Sequence, residues 1–82
     1  MDKYEFNIKV EQIKKLTTKG DYETAMKIAD TIDWRRVRNA NLLSMIAQVY
    51  EKNEEYQEAK DILLLAFERA PIGKRLLFKL TD

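Results

Sequence analysis

Apolar residues return along this chain at intervals of three and four. Phe6, Val10 and Ile13 stand at i, i+4 and i+7, Leu16 extends the line, and charged residues fill the other positions. That spacing predicts a helix with one buried stripe. The run Thr17-Thr18-Lys19-Gly20-Asp21 is expected to break it, with Gly20 in a left-handed conformation and Asp21 capping the next helix. A second stripe follows at Tyr22, Ala25, Met26 and Ala29, with Ile28 and Ile32 beside it. Asp33 reads as the cap of a long third helix from about Trp34 to about Glu51, apolar around most of its circumference and so packed on several sides. Asn53-Glu54-Glu55 resembles a capped start for a fourth helix carrying Tyr56, Ala59, Ile62, Leu63, Ala66, Phe67 and Ala70. Pro71 stops that helix, and a fifth is expected from Lys74 to Leu80. No strand-like alternation interrupts the series. The expected fold class is all-α.

Composition narrows the chemistry. The chain has 82 residues, with 15 Lys and Arg against 14 Asp and Glu, a formal charge of +1 that argues against nucleic acid or an anionic bilayer as partner. There is no Cys and no His, which removes disulfides, thiol nucleophiles, triad bases and the usual zinc and iron ligands. No cofactor or metal is expected. The start, Met-Asp-Lys-Tyr-Glu, lacks an apolar signal core, and the longest apolar run, Ile62 to Phe67, is six residues, too short for a membrane span. A cytoplasmic location is the expectation.

An internal repeat organises the chain. Lys19-Gly20-Asp21-Tyr22-Glu23-Thr24-Ala25 aligns with Asn53-Glu54-Glu55-Tyr56-Gln57-Glu58-Ala59 at an offset of 34, and at that offset Ile13 meets Ala47, Leu16 meets Tyr50, Ile28 meets Ile62 and Asn7 meets Asn41. Thirty-four residues is the period of the tetratricopeptide repeat, TPR, in which antiparallel helix pairs stack on one another. Residues 40–73 resemble that consensus in Ala47, Tyr50, Tyr56, Ala59, Ala66 and Pro71. Residues 6–39 keep Gly20, Tyr22 and Ala25 but carry Lys9 and Gln12 at positions the consensus fills with large apolar groups, as suits an N-terminal cap. The resemblance implies one TPR-like domain over residues 1–82: an α-solenoid of two helical hairpins (6–39 and 40–73) plus a fifth helix at 74–82, either a cap or a truncated third repeat. The chain also looks like the N-terminal part of longer bacterial TPR proteins of undefined function, which would make it a fragment.

Several side chains are candidates for chemistry, each with a plainer reading. Arg35, Arg36 and Arg38 beside Trp34 could grip phosphates or an acidic peptide, or could pair with Asp30, Asp33 or neighbouring carboxylates while Trp34 packs at a repeat junction. Glu51, Glu54, Glu55, Glu58 and Asp61 read as a solvated face interleaved with Lys52 and Lys60 rather than a cation site. Tyr22, Tyr56, Met26 and Met45 fall at packing positions and are expected in the core. In TPR proteins that hold chaperone C-terminal peptides, Lys and Asn residues on first helices clamp carboxylates. Carried over, that pattern would need basic and amide residues at Val10 and Lys14 and an Asn at Met45, so the resemblance implies no such clamp. The remaining groove candidates are Asn7, Lys14, Asn41, Ser44, Gln48, Arg75 and Lys79.

The function expected is therefore not enzymatic: a protein-interaction or scaffold module that takes a peptide or helix in a concave groove, or that mediates self-assembly. Leu76, Leu77, Phe78 and Leu80 would expose an apolar face on a terminal helix and so favour a homo-oligomer. The alternative is a nucleic-acid-binding helical module centred on Arg35, Arg36 and Arg38, whose affinity would fall steeply with salt.

Overall fold

The computed structural model describes residues 2–70, and over them the chain is all-helical. Four α-helices follow in order, α1 (Lys3–Lys19), α2 (Tyr22–Ala29), α3 (Ala40–Lys52) and α4 (Tyr56–Arg69), with a short 3₁₀ turn at Trp34–Arg36 between α2 and α3. Helix α3 is the centre of the packing, lying against both α2 and α4, while α1 lies against α2. Its Leu43, Ile46, Ala47, Val49 and Tyr50 are buried, against Val10 and Ile13 alone on α1. The all-round apolar pattern of this segment is thus used by neighbours on more than one side. The core is completed by Ala25, Ala29, Ile32, Val37, Ala59, Ile62 and Ala66. No helix of the described residues is long and apolar enough to cross a membrane.

The two inter-helix turns are copies of each other. Gly20 has φ +82, its N–H donates to the Thr17 carbonyl at 3.1 Å, and the Asp21 N–H donates to Leu16 at 2.9 Å. Glu54 has φ +63, its N–H donates to Glu51 at 3.0 Å, and the Glu55 N–H donates to Tyr50 at 2.9 Å. Both are Schellman closures, which satisfy the last carbonyls of a helix through one left-handed residue. Every donor and acceptor in the second set lies 34 positions beyond its counterpart in the first. The periodicity of the sequence is therefore reproduced in the backbone hydrogen bonds.

Where the local structure departs from expectation, the reason is visible in each case. Thr17 and Thr18 do not break α1, because both hydroxyls donate back to the Lys14 carbonyl at 2.9 Å and remain in the helix, leaving Gly20 to end it. The long helix expected from Trp34 is split. Asp33 accepts from the Arg35 N–H at 3.3 Å and caps only a 3₁₀ turn, after which Val37 is extended. Asn39 then starts α3, its side-chain oxygen accepting from both Asn41 and Leu42 N–H at 2.9 and 3.2 Å. This break places Arg35, Arg36 and Arg38 ahead of α3 rather than within its first turns. Asn53 does not cap α4. Its amide instead donates to the carbonyls of Val49 and of Tyr22, at 2.8 and 2.9 Å, tying the second turn to the start of α2. Helix α4 begins after Glu55 without any side-chain cap, whereas Asp21, one methylene shorter, caps α2 through Thr24 N–H at 3.2 Å. It ends at Ala70, whose extended backbone is the conformation a following proline imposes.

Candidate functional site

The arginine cluster faces two ways. Arg35 stacks over the Trp34 ring, 4.8 Å from its centroid, and the Trp34 indole N–H donates to a Glu58 carboxylate oxygen on α4 at 3.1 Å. Trp34 is half-buried against the core with its ring covered and its N–H satisfied, so it serves as a junction between the connector and α4. Arg35 and Trp34 border a shallow depression with Leu64, Leu65 and Asp61 of α4, about 410 Å³ in volume. Arg36 and Arg38 lie elsewhere, on the lining of a larger cleft. The expected pairing of these arginines with Asp30 or Asp33 does not occur. Asp30 accepts from the Tyr50 hydroxyl at 2.6 Å, Asp33 serves the backbone cap, and no arginine forms an ion pair within the described residues.

The larger cleft has a volume of about 730 Å³, inside the range of roughly 300–1,000 Å³ common for ligand sites. It opens between the first turns of α1 and α3 and the connector that precedes α3. Phe6 from α1, Leu42 from α3, and Ile32 and Val37 from the connector supply its apolar surface. Asp2, Lys3, Asn7, Asp33, Arg36, Arg38 and Asn39 supply the polar groups. Val37 is held from behind, since its carbonyl accepts from the Arg69 guanidinium at the end of α4. The extended backbone of Val37 turns its side chain into the core at 6% exposure and leaves the flanking Arg36 and Arg38 exposed.

Of the groove residues expected from sequence, Asn7 is the only one among the described residues that lines this cleft. Asn41 and Gln48 are exposed on α3, and Lys14 is exposed with its ammonium 3.7 Å from Glu11. Ser44 is half-buried, and its hydroxyl is buried with no hydrogen-bond partner. It occupies the place of Val10 in the first unit, where an apolar residue fits the same surroundings. Arg75 and Lys79, and the self-association candidates Leu76, Leu77, Phe78 and Leu80, lie outside the described residues. Phe6, Ile32, Val37 and Leu42 were not legible as the lining of a cleft, because each also satisfies a core pattern. The signal that could have located them is Asn39, a good cap residue directly before an apolar run.

One packing expectation changes. Tyr56 is 63% exposed and not a core residue, while Tyr22, its counterpart, is half-buried with the Lys52 ammonium 5.8 Å from its ring centroid and its carbonyl bonded by Asn53. The difference follows from stacking: Tyr22 is covered by the turn of the next unit, and no such turn follows Tyr56 among the described residues. Met26 and Met45 pack on the core as expected. Glu51, Glu54, Glu55 and Asp61 are exposed, Glu58 takes the Trp34 N–H, and no carboxylate group among the described residues converges as a cation site.

Compared with known proteins, the chain matches no family model, no curated sequence and no solved structure.

Proposed function

We propose that this chain is a non-enzymatic protein-interaction module of the TPR type, and that it binds a peptide or helix of a protein partner in the cleft between α1 and α3. The observation that carries the reading is the cleft itself: an open depression whose floor is apolar and whose rim holds exposed cations without ion-pair partners among the described residues. Its walls come from the first helices of two units related by the 34-residue repeat, which is where stacked helical hairpins present a continuous surface. Folding has already ordered these walls, so a short partner segment bears most of the ordering cost of association.

A random peptide library displayed on phage and selected against the immobilised chain tests this reading. Selected peptides are expected to shift the backbone amide resonances of Phe6, Asn7, Arg38 and Leu42 in the ¹⁵N-labelled protein. Peptides that instead shift resonances along α4, or a library that yields no binder, would overturn it.

A further inference from the structure

We infer that the α1–α3 cleft selects an acidic segment with an apolar anchor, a peptide in which a Leu- or Phe-type side chain is flanked by Asp or Glu. The inference rests on the protein-binding reading above and adds the chemistry of the partner. Three cations line the cleft, Lys3 from the first turn of α1 and Arg36 and Arg38 from the connector, and none has an ion-pair partner within the described residues. The two carboxylates on the same lining are already engaged as acceptors of backbone N–H groups, Asp2 from Glu5 at 2.8 Å and Asp33 from Arg35 at 3.3 Å. Three cations against two carboxylates leave the lining net positive by one, and because both carboxylates are turned to backbone donors, the cations are the charged groups left to meet a ligand. Because the first turns of α1 and α3 both border the cleft, the positive ends of their dipoles add to that field.

A simple anion would use the cations and leave the apolar floor wet. A purely apolar segment would fill the floor and desolvate the arginines without compensation. A segment carrying both satisfies each surface, with carboxylates meeting the guanidinium groups in charge-assisted, planar geometry. A nucleic-acid strand is less well matched. Phe6, the aromatic ring in this cleft, is half-buried against the core, and Trp34, which lies outside it, already has Arg35 over its ring and points its N–H at Glu58, so neither offers an open stacking face.

Fluorescence anisotropy with the whole chain and four dye-labelled probes separates these cases: a short Leu-Phe peptide flanked by Asp and Glu, the same peptide flanked by Lys, an acidic peptide with Ser for Leu and Phe, and a single-stranded oligonucleotide. The acidic Leu-Phe peptide is expected to bind tightest, and the Arg36→Glu/Arg38→Glu variant to weaken it by about tenfold or more. Both arginines are exposed and without an ion-pair partner among the described residues, and unchanged circular dichroism of that variant confirms that folding is intact. Lys60→Glu, the same kind of charge reversal on α4, is expected to leave the affinity within about twofold. Equal or tighter binding of the Lys-flanked peptide overturns the inference while leaving peptide binding at the cleft standing. Tighter binding of the oligonucleotide, an equal effect of Lys60→Glu, or no binding of the acidic peptide also overturns it.

Discussion

Tyr50 is only 5% exposed, and its hydroxyl donates to the Asp30 carboxylate at 2.6 Å, the one bond that joins the buried face of α3 to the end of α2 by side chains. Burial, and then the hydrogen bond and charge of Asp30, push the phenol's pKa well above its usual value. Ionisation of this tyrosine is therefore easier in the unfolded chain, where its pKa is about 10. The stability it contributes is fully present below that pH and is lost as pH rises toward the folded-state value. Urea unfolding midpoints should accordingly fall as pH climbs past about 10, and fall less steeply in Tyr50→Phe. At neutral pH Tyr50→Phe should cost about 1–2 kcal/mol, at the lower end for a bond to a charged acceptor because exposed Asp30 regains water. An unchanged midpoint in Tyr50→Phe, or parallel pH curves, would refute the assignment. Sequence made Tyr50 legible as a packing residue through its match to Leu16. The bond to Asp30 was not legible, since it depends on where α2 ends.

At the scale of elements, the turns are where sequence was most informative, and where the chain is not yet optimal. Gly20 and Asp21 announced the first turn because each residue type answers a specific backbone need: a left-handed conformation and an oxygen for a free N–H. The second turn was recognised by alignment, yet Glu54 holds at φ +63 a conformation that a side chain disfavours by about 1–2 kcal/mol. Exchanging the two residue types tests this. Glu54→Gly should raise stability by about 0.5–1 kcal/mol, the relief of strain being partly offset by the freedom glycine gains in the unfolded chain. Gly20→Ala should cost about 1 kcal/mol through the backbone alone, because an added Cβ would meet no atom within 4 Å. Opposite signs from thermal denaturation are the expected outcome, and a loss in Glu54→Gly would contradict it. Helix boundaries elsewhere were less legible. The break at Val37 escaped the hydrophobic pattern because Val37 is apolar and buried in either structure, and only the double cap by Asn39 decides between them. The cleft depends on that break, so it could not be read before the break was known.

Across the described chain, burial is graded rather than uniform, and the gradient bears on function. Helix α1 has 17 residues but only Val10 and Ile13 are buried, and it packs chiefly on α2, itself eight residues long. Helices α3 and α4 form the most extensive contact, and α4 is bound to the connector through Trp34–Glu58 and Arg69–Val37. An element held chiefly by one neighbour, with few buried residues for its length, opens before those packed on two. Native-state hydrogen exchange should therefore show α1 amides exchanging through a partial opening, at a free energy below that of α3 and α4, with a weak dependence on denaturant because little surface is exposed. The cleft has one wall on α1 and another on α3, so a ligand seated there must hold the two together. A peptide that binds the cleft should then slow exchange in α1 by roughly the factor 1 + [L]/Kd, and should slow α4 far less when the free chain's α4 already exchanges by global unfolding of higher free energy. Protection of α1 equal to that of α3 without ligand would mean that the helices open as one unit. A ligand that protects α4 but not α1 would place the binding surface on the other side of the connector, at Trp34 and Leu64.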